Sequence, residues 1–135
     1  MTNNKVLVVD DEAAIRHAFE KAFSSAGYTV HCTDSAGKAL EVLEEENIQV
    51  MFLDLNLPEM TGLELCKRIR KDKPLAVIHA VTGYTSLFEL VDCRDAGFDD
   101  YFTKPVELKV LLDAAKSAFE RINRWKKQWG ANEVE

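Results

Sequence analysis

Cysteine is sparse in this chain. Cys32, Cys66 and Cys93 are the only three, odd in number, far apart and without a CxxC. That pattern suggests neither a disulfide framework nor a zinc site, and reads as core or partly buried thiols in a reducing compartment. Proline and glycine are also few, 3 and 6 in 135 residues, which excludes collagen-like repeats and argues against disorder. No apolar run approaches the ~18 residues of a membrane-spanning helix. The opening residues, MTNNK, carry no apolar signal core. The expectation is a soluble, cytoplasmic chain with no membrane partner. Basic charge is short too. The net charge is −6, and a short basic stretch runs from Arg121 to Lys127. A broad nucleic-acid-binding face is therefore not expected.

What is there is ordinary globular material, 47% hydrophobic and 30% charged. The length suits one domain that buries roughly two thirds of its unfolded surface. Short apolar runs alternate with helix-period segments five times. The strand candidates are Lys5–Val9, Thr29–Cys32, Val50–Leu53, Ala76–Val81 and Asp100–Thr103. Three of them, VLVV, VMFL and AVIHAV, are near-continuous apolar runs, the mark of strands covered on both faces. Helix patterns lie between them. Ala13–Ala26 stops at Gly27, and Ser35 is placed to cap Ala36–Glu46. Thr61 is placed to cap Gly62–Arg70. Ser86–Ala96 stops at Gly97, and Glu107 opens a last helix behind Pro105. Five β-α repeats predict an α/β fold with a doubly wound five-stranded parallel sheet and helices on both faces. In such sheets the site lies outside the carboxyl ends of the strands.

Those ends carry chemistry. Asp10 and Asp11 follow the first strand, Asp54 the third, Thr82 the fourth and Lys104 the fifth. With strand order 2-1-3-4-5, the first and third strands are neighbours and three carboxylates converge. Singly, each has a plainer reading as a turn residue, a cap or a solvated lysine; together they form one set. Two adjacent carboxylates at the end of a buried strand repel, so something positive must hold them. Oxygen-only ligands point to a hard cation, Mg²⁺ rather than zinc, with Mn²⁺ able to substitute. The ammonium and hydroxyl suit an anionic phosphoryl group, with one carboxylate left as acceptor or nucleophile. His17, His31 and His79 are not spaced as a metal pair and are read as packing residues.

The motifs VLVVDDE, FLDLNLPEMTGLEL, AVTGY and YFTKP resemble the receiver domain of two-component response regulators, with the flavodoxin-like fold of the chemotaxis protein CheY. The resemblance runs from Lys5 to about Phe119. It implies that Asp54 is the phospho-acceptor and Asp11 a direct Mg²⁺ ligand. Asp54 would share the metal, Asp10 would hold it through water, and the Asn56 backbone carbonyl would complete the shell. By the same resemblance, Lys104 and the Gly83 N–H contact the phosphoryl group. Thr82 and Tyr101 form the switch, and the Lys104–Pro105 bond is cis. The donor would be a sensor histidine kinase or a histidine phosphotransfer protein. The domain would assist its own phosphorylation and dephosphorylation without being a turnover enzyme, and the readout face would be the fourth helix, fifth strand and fifth helix. Leu57 and Thr61 depart from residues common in the family. Tyr84 and Asn56 fall where the family tunes dephosphorylation, and Tyr84 is placed to shield the acyl phosphate.

Two other readings are weaker. A phosphatase of the haloacid dehalogenase type needs an acid two residues after its nucleophile, and Asn56 stands there. A degenerate receiver that binds partners without phosphorylation would not need the full acidic set and Lys104. The C-terminal segment is peculiar to this chain. Seven-residue spacings link Leu108, Ala115, Ile122 and Trp129, and Leu111, Ala118 and Trp125. Residues 1–122 are expected to form the receiver domain. Residues 123–135 would be a helical extension or linker, serving a homodimer or a downstream output domain. The overhang from Arg121 onward is expected to have no core left to cover.

Overall fold

The computed structural model describes residues 3–83 and 86–132. Its strands are β1 (Lys5–Val9), β2 (Thr29–Thr33), β3 (Val50–Leu53), β4 (Val77–Thr82) and β5 (Asp100–Thr103). Its helices are α1 (Ala13–Ser25), α2 (Ala36–Glu45), α3 (Gly62–Asp72), α4 (Leu87–Ala96) and α5 (Leu108–Asn132). The strands form one parallel sheet in the order β2-β1-β3-β4-β5, as expected. In register across its middle stand Val8, Phe52, His79 and Asp100.

The continuous apolar runs have a direct cause. Val6 and Val8 of β1 point to one face with Val50, Phe52, Val77 and Val81, against α1 and α5. Leu7 and Val9 point to the other with Met51, Leu53, Ile78 and Ala80, against α2, α3 and α4. Each central strand is covered twice, so nearly every position is apolar, with Lys5 at the start of β1 and His79 and Thr82 of β4 as the exceptions. On the first face Phe19, Phe23 and Phe52 form a triangle with ring centroids 5.5–5.7 Å apart.

The expected caps are in place. Ser35 accepts from the Lys38 N–H at 3.3 Å and Thr61 from the Glu64 N–H at 3.2 Å. A third cap was not expected: Ser86 accepts from the Glu89 N–H at 3.1 Å. Ser86 is thus a cap and not the first helical residue. β4 begins and ends one residue later than the apolar pattern suggested, because the Ala76 N–H turns back to Lys73 while the ladder runs on to Thr82. The Lys104–Pro105 bond is cis. His79 is buried, with Nδ1 2.9 Å from the Met51 carbonyl and its ring stacked on Phe52; His31 is partly buried and His17 exposed. The cysteines are unpaired, and burial raises the thiol pKa of all three.

The overhang does have core to cover at its start. Ile122 is buried with Leu111, Ala115 and Ala118, and beside it a crevice runs to Pro74, Leu75 and Trp125. Trp125, one turn further, is 55% exposed. Arg121 is tied down as well. Its Nη2 lies 2.6 Å from Asp99, whose other oxygen holds Arg70 at 2.8 Å and the Ile78 N–H at 2.9 Å. Among the described residues no helix is long and apolar enough to cross a membrane.

Candidate functional site

The sheet ladder continues one step past three strands. The Asp10 N–H donates to Thr33, the Asp54 N–H to Val9 and the Lys104 N–H to Thr82, at 3.1, 2.9 and 2.8 Å. Backbone pairing thereby places Asp10, Asp54 and Lys104 at one rim before any side chain acts. The two aspartates then use their oxygens alike. One oxygen turns back to its own chain: Asp10 Oδ1 accepts from the Glu12 N–H at 2.9 Å, and Asp54 Oδ1 from the Asn56 N–H at 3.1 Å. The other faces Lys104, whose Nζ lies 2.8 Å from Asp10 Oδ2 and 3.1 Å from Asp54 Oδ2. The local turn is what a short carboxylate makes with the backbone two residues on.

Burial sharpens the electrostatics. The Asp10 and Asp54 side chains are 3% and 5% exposed, and Lys104 is 15% exposed. Burial raises the Asp54 pKa above the ordinary carboxylate value. The nearby Asp10 charge adds to this, while the Asn56 N–H and Lys104 oppose it. Burial works to lower the Lys104 pKa, and the hydrogen bonds and charges of Asp10 and Asp54 overcome it, so the ammonium is held more firmly than usual.

Asp11 and Glu12 stand in the open beside this pair. One carboxylate oxygen each from Asp10, Asp11 and Glu12 lie within 4.8 Å of one another, a set that can hold a hard cation. Asp54 lies outside that trio and is joined to it through Lys104. Glu12 is the residue that sequence reasoning passed over. It also lies 3.5 Å from Lys104, and its signal was present as the third acid of VDDE. Thr82 is buried at the end of β4, and Gly83 is exposed beside it with open space where a Cβ would stand. Asn56 is exposed, next to Asp54. Tyr101 is partly buried on β5 and packs against the core on the α2–α4 face. Tyr84 lies outside the described residues.

Comparison with known proteins fits this geometry. The family described as "Response regulator receiver domain" matches residues 6–116. The response regulator MprA of Mycobacterium ulcerans is 34% identical over 117 residues, covering 87% of this chain and 50% of MprA. The chain therefore spans about half the length of the curated relatives it matches. Among solved structures, a CheY-like receiver domain protein from Methanospirillum hungatei superposes with a TM-score of 0.87 at 32% identity, covering 91% of this chain and 98% of that one. The signal receiver domain of an HD domain-containing protein from Pseudomonas fluorescens gives a TM-score of 0.87 at 25% identity, with 94% of each chain covered. With its sheet order, its acidic rim and its strand-end lysine, the chain belongs to the receiver-domain family of two-component response regulators.

Proposed function

We propose that Asp54 accepts a phosphoryl group from a phosphohistidine of a sensor kinase or phosphotransfer protein. The observation that carries this is the single ammonium, Lys104, within 3.1 Å of both buried carboxylates at the strand ends. An Asp54 oxygen attacks phosphorus as the phosphorus–nitrogen bond to the donor breaks, and a donor ring already protonated on its other nitrogen leaves as neutral imidazole, giving an acyl phosphate. The electron pair of the broken bond leaves with the histidine nitrogen. Charge on the equatorial oxygens is then met by Lys104, by the Gly83 N–H and by the Thr82 hydroxyl.

Asp10, Asp11 and Glu12 fit a divalent cation by their oxygen-only chemistry and spacing, and Asp54 and the Asn56 carbonyl would complete its shell. Mg²⁺ held there, with Mn²⁺ as a substitute, supplies positive charge for the transferring phosphoryl oxygens. Beside Glu12 and Lys104 an apolar trough of about 520 Å³, lined by Ile15, Phe19, Pro105 and Leu108, opens between α1 and the start of α5. An apolar side chain of the donor protein would rest there. Thr82 and Tyr101 would carry the change to the face of α4, β5 and α5, and the extension of α5 to a second copy or an output domain. Phosphoryl uptake that assists its own reversal makes this a switch rather than a turnover enzyme.

The test is intact mass after incubation with a small acyl-phosphate donor, with and without Mg²⁺, for wild type and Asp54→Asn. One added phosphoryl group that needs Mg²⁺ and is absent in the variant supports the reading. No mass shift under any condition would favour a receiver that works without phosphorylation.

A further inference from the structure

Gly62 is the first residue of α3 and is buried there. It is not among the positive-φ glycines, which are Gly27 and Gly97. Backbone freedom does not explain a glycine here, and helix propensity favours alanine. Space explains it. A Cβ built on Gly62 would stand 2.2 Å from the Asp54 carbonyl oxygen, 2.8 Å from Leu55 Cα and 3.0 Å from the Asp54 carbonyl carbon. All three are backbone atoms and cannot rotate aside. The start of α3 is also fixed in place. The Gly62 N–H donates to the Leu55 carbonyl at 3.0 Å, and Thr61 caps the first turn through the Glu64 N–H.

We propose that Gly62 is a positioning residue for the acceptor: the close seat of α3 on the Asp54–Leu55 peptide sets where the Asp54 carboxylate stands. This rests on the reading of Asp54 as acceptor. The preceding peptide is tied to β1 through the Asp54 N–H, which donates to Val9 at 2.9 Å, so Asp54 itself is held between β1 and α3. Its carboxylate is then aimed by two bonds of 3.1 Å, from the Asn56 N–H and from Lys104. A methyl group at position 62 must drive the peptide off α3 by roughly 1 Å, a displacement that costs a reaction on the order of 100-fold when it misaligns the reacting atom. The link from sequence to function is therefore steric. The TG of PEMTGLEL first caps a helix, then lets that helix approach the acceptor's backbone.

The experiment compares wild type, Gly62→Ala and, as a control for glycine in a helix, Gly37→Ala. Gly37 lies in the first turn of α2 with nothing within 4 Å of an added Cβ. Rates of phosphoryl uptake from a small acyl-phosphate donor with Mg²⁺ are read by intact mass, well below each variant's melting temperature. Amide ¹H–¹⁵N spectra are recorded without donor. Gly62→Ala should slow uptake about 10- to 100-fold and shift the Asp54, Leu55 and Asn56 amide signals, while Gly37→Ala keeps the wild-type rate. A folded Gly62→Ala with the wild-type rate overturns the proposal. If Gly62→Ala does not fold, Thr61→Ala, which loosens the same helix start without adding bulk, should slow uptake by about 2- to 5-fold, within the reach of one lost cap; an unchanged rate there overturns it too. If wild type takes up no phosphoryl group, the acceptor reading fails instead. The positional claim is then decided by the amide spectra alone, and superimposable Asp54 and Asn56 signals would overturn it.

Discussion

Replacing Asp54 with asparagine should stabilise the metal-free domain while abolishing phosphoryl uptake. The carboxylate is 5% exposed, and burial together with the Asp10 charge raises its pKa against the pull of the Asn56 N–H and Lys104. Ionised Asp54 is therefore a net cost to the fold at neutral pH. An asparagine keeps the oxygen that accepts from Asn56. It weakens the Lys104 contact from a charged to a neutral one, a loss of about 1 kcal/mol. Against that it removes the buried charge and its repulsion with Asp10. The net gain should be about 0.5–2 kcal/mol, the size seen when a functional strain is relieved. The pH dependence follows. Because the folded pKa is raised, wild type loses stability as pH rises from the ordinary carboxylate range, about 4, through the folded value. The variant lacks that slope, so its advantage is present at neutral pH and disappears toward pH 4. Urea melts in chelator at several pH values measure it. Saturating Mg²⁺ should reverse the order, since a cation at 100 times its Kd adds about 2.7 kcal/mol to the form that binds it better. A variant in chelator less stable than wild type by more than 1 kcal/mol at pH 7 would refute this reasoning, because Lys104 would then be over-compensating the burial cost.

Lys104→Met should destabilise the chelated domain by about 3–5 kcal/mol, because Asp10 and Asp54 lose the cation within 3.1 Å of both; a urea-midpoint change worth under 1 kcal/mol would mean that water already serves them. Asp99→Ala should cost about 2–4 kcal/mol, since it frees Arg70, Arg121 and the Ile78 N–H together. For Asp99 burial raises the pKa, but those three partners outweigh it and hold the value low. Its contribution is thus complete above the ordinary carboxylate range and is lost as pH falls through the folded value, so Asp99→Ala should flatten the acid limb of the stability curve. Trp125→Glu should leave the melting temperature within about 2 °C, as for an exposed position, while converting any dimer seen by light scattering to monomer; an unchanged dimer would move the contact elsewhere.

Most of the fold was legible because its signals are local and agree. Continuous apolar runs mark strands buried on two faces, and Ser35 and Thr61 mark helix starts whose caps both form. The site was legible for the same reason: parallel pairing brings strand ends together, so residues far apart in sequence could be grouped by their place after a strand. What stayed hidden depends on side-chain reach. Nothing in the spacing showed that Lys104 would answer for Asp10 as well as Asp54. Ile122 looked like overhang because the crevice beside it is bordered by Pro74 and Leu75, far from it in sequence. The clasp of Asp99 on Arg70 and Arg121 joins residues of α3, the α4–β5 turn and α5, a meeting that no single segment's pattern encodes.

The two adjacent carboxylates at Asp10 and Asp11 posed the sharpest question in the sequence, and the structure divides the answer. Asp10 turns inward to Lys104, while Asp11 stays in water, where repulsion between exposed charges is weak. One ammonium still faces Asp10, Glu12 and Asp54 within 3.5 Å. That negative excess is uncomfortable for a fold and suitable for a cation. A cation taken up by the acids would relieve Lys104 of part of its task. The ammonium would then be free to turn from Asp10 toward an incoming phosphoryl oxygen without leaving a buried carboxylate unpaired. Lys104 clamps the resting site, and under the proposed phosphoryl transfer it would become a ligand of the loaded one, the excess of acid over base making that exchange possible.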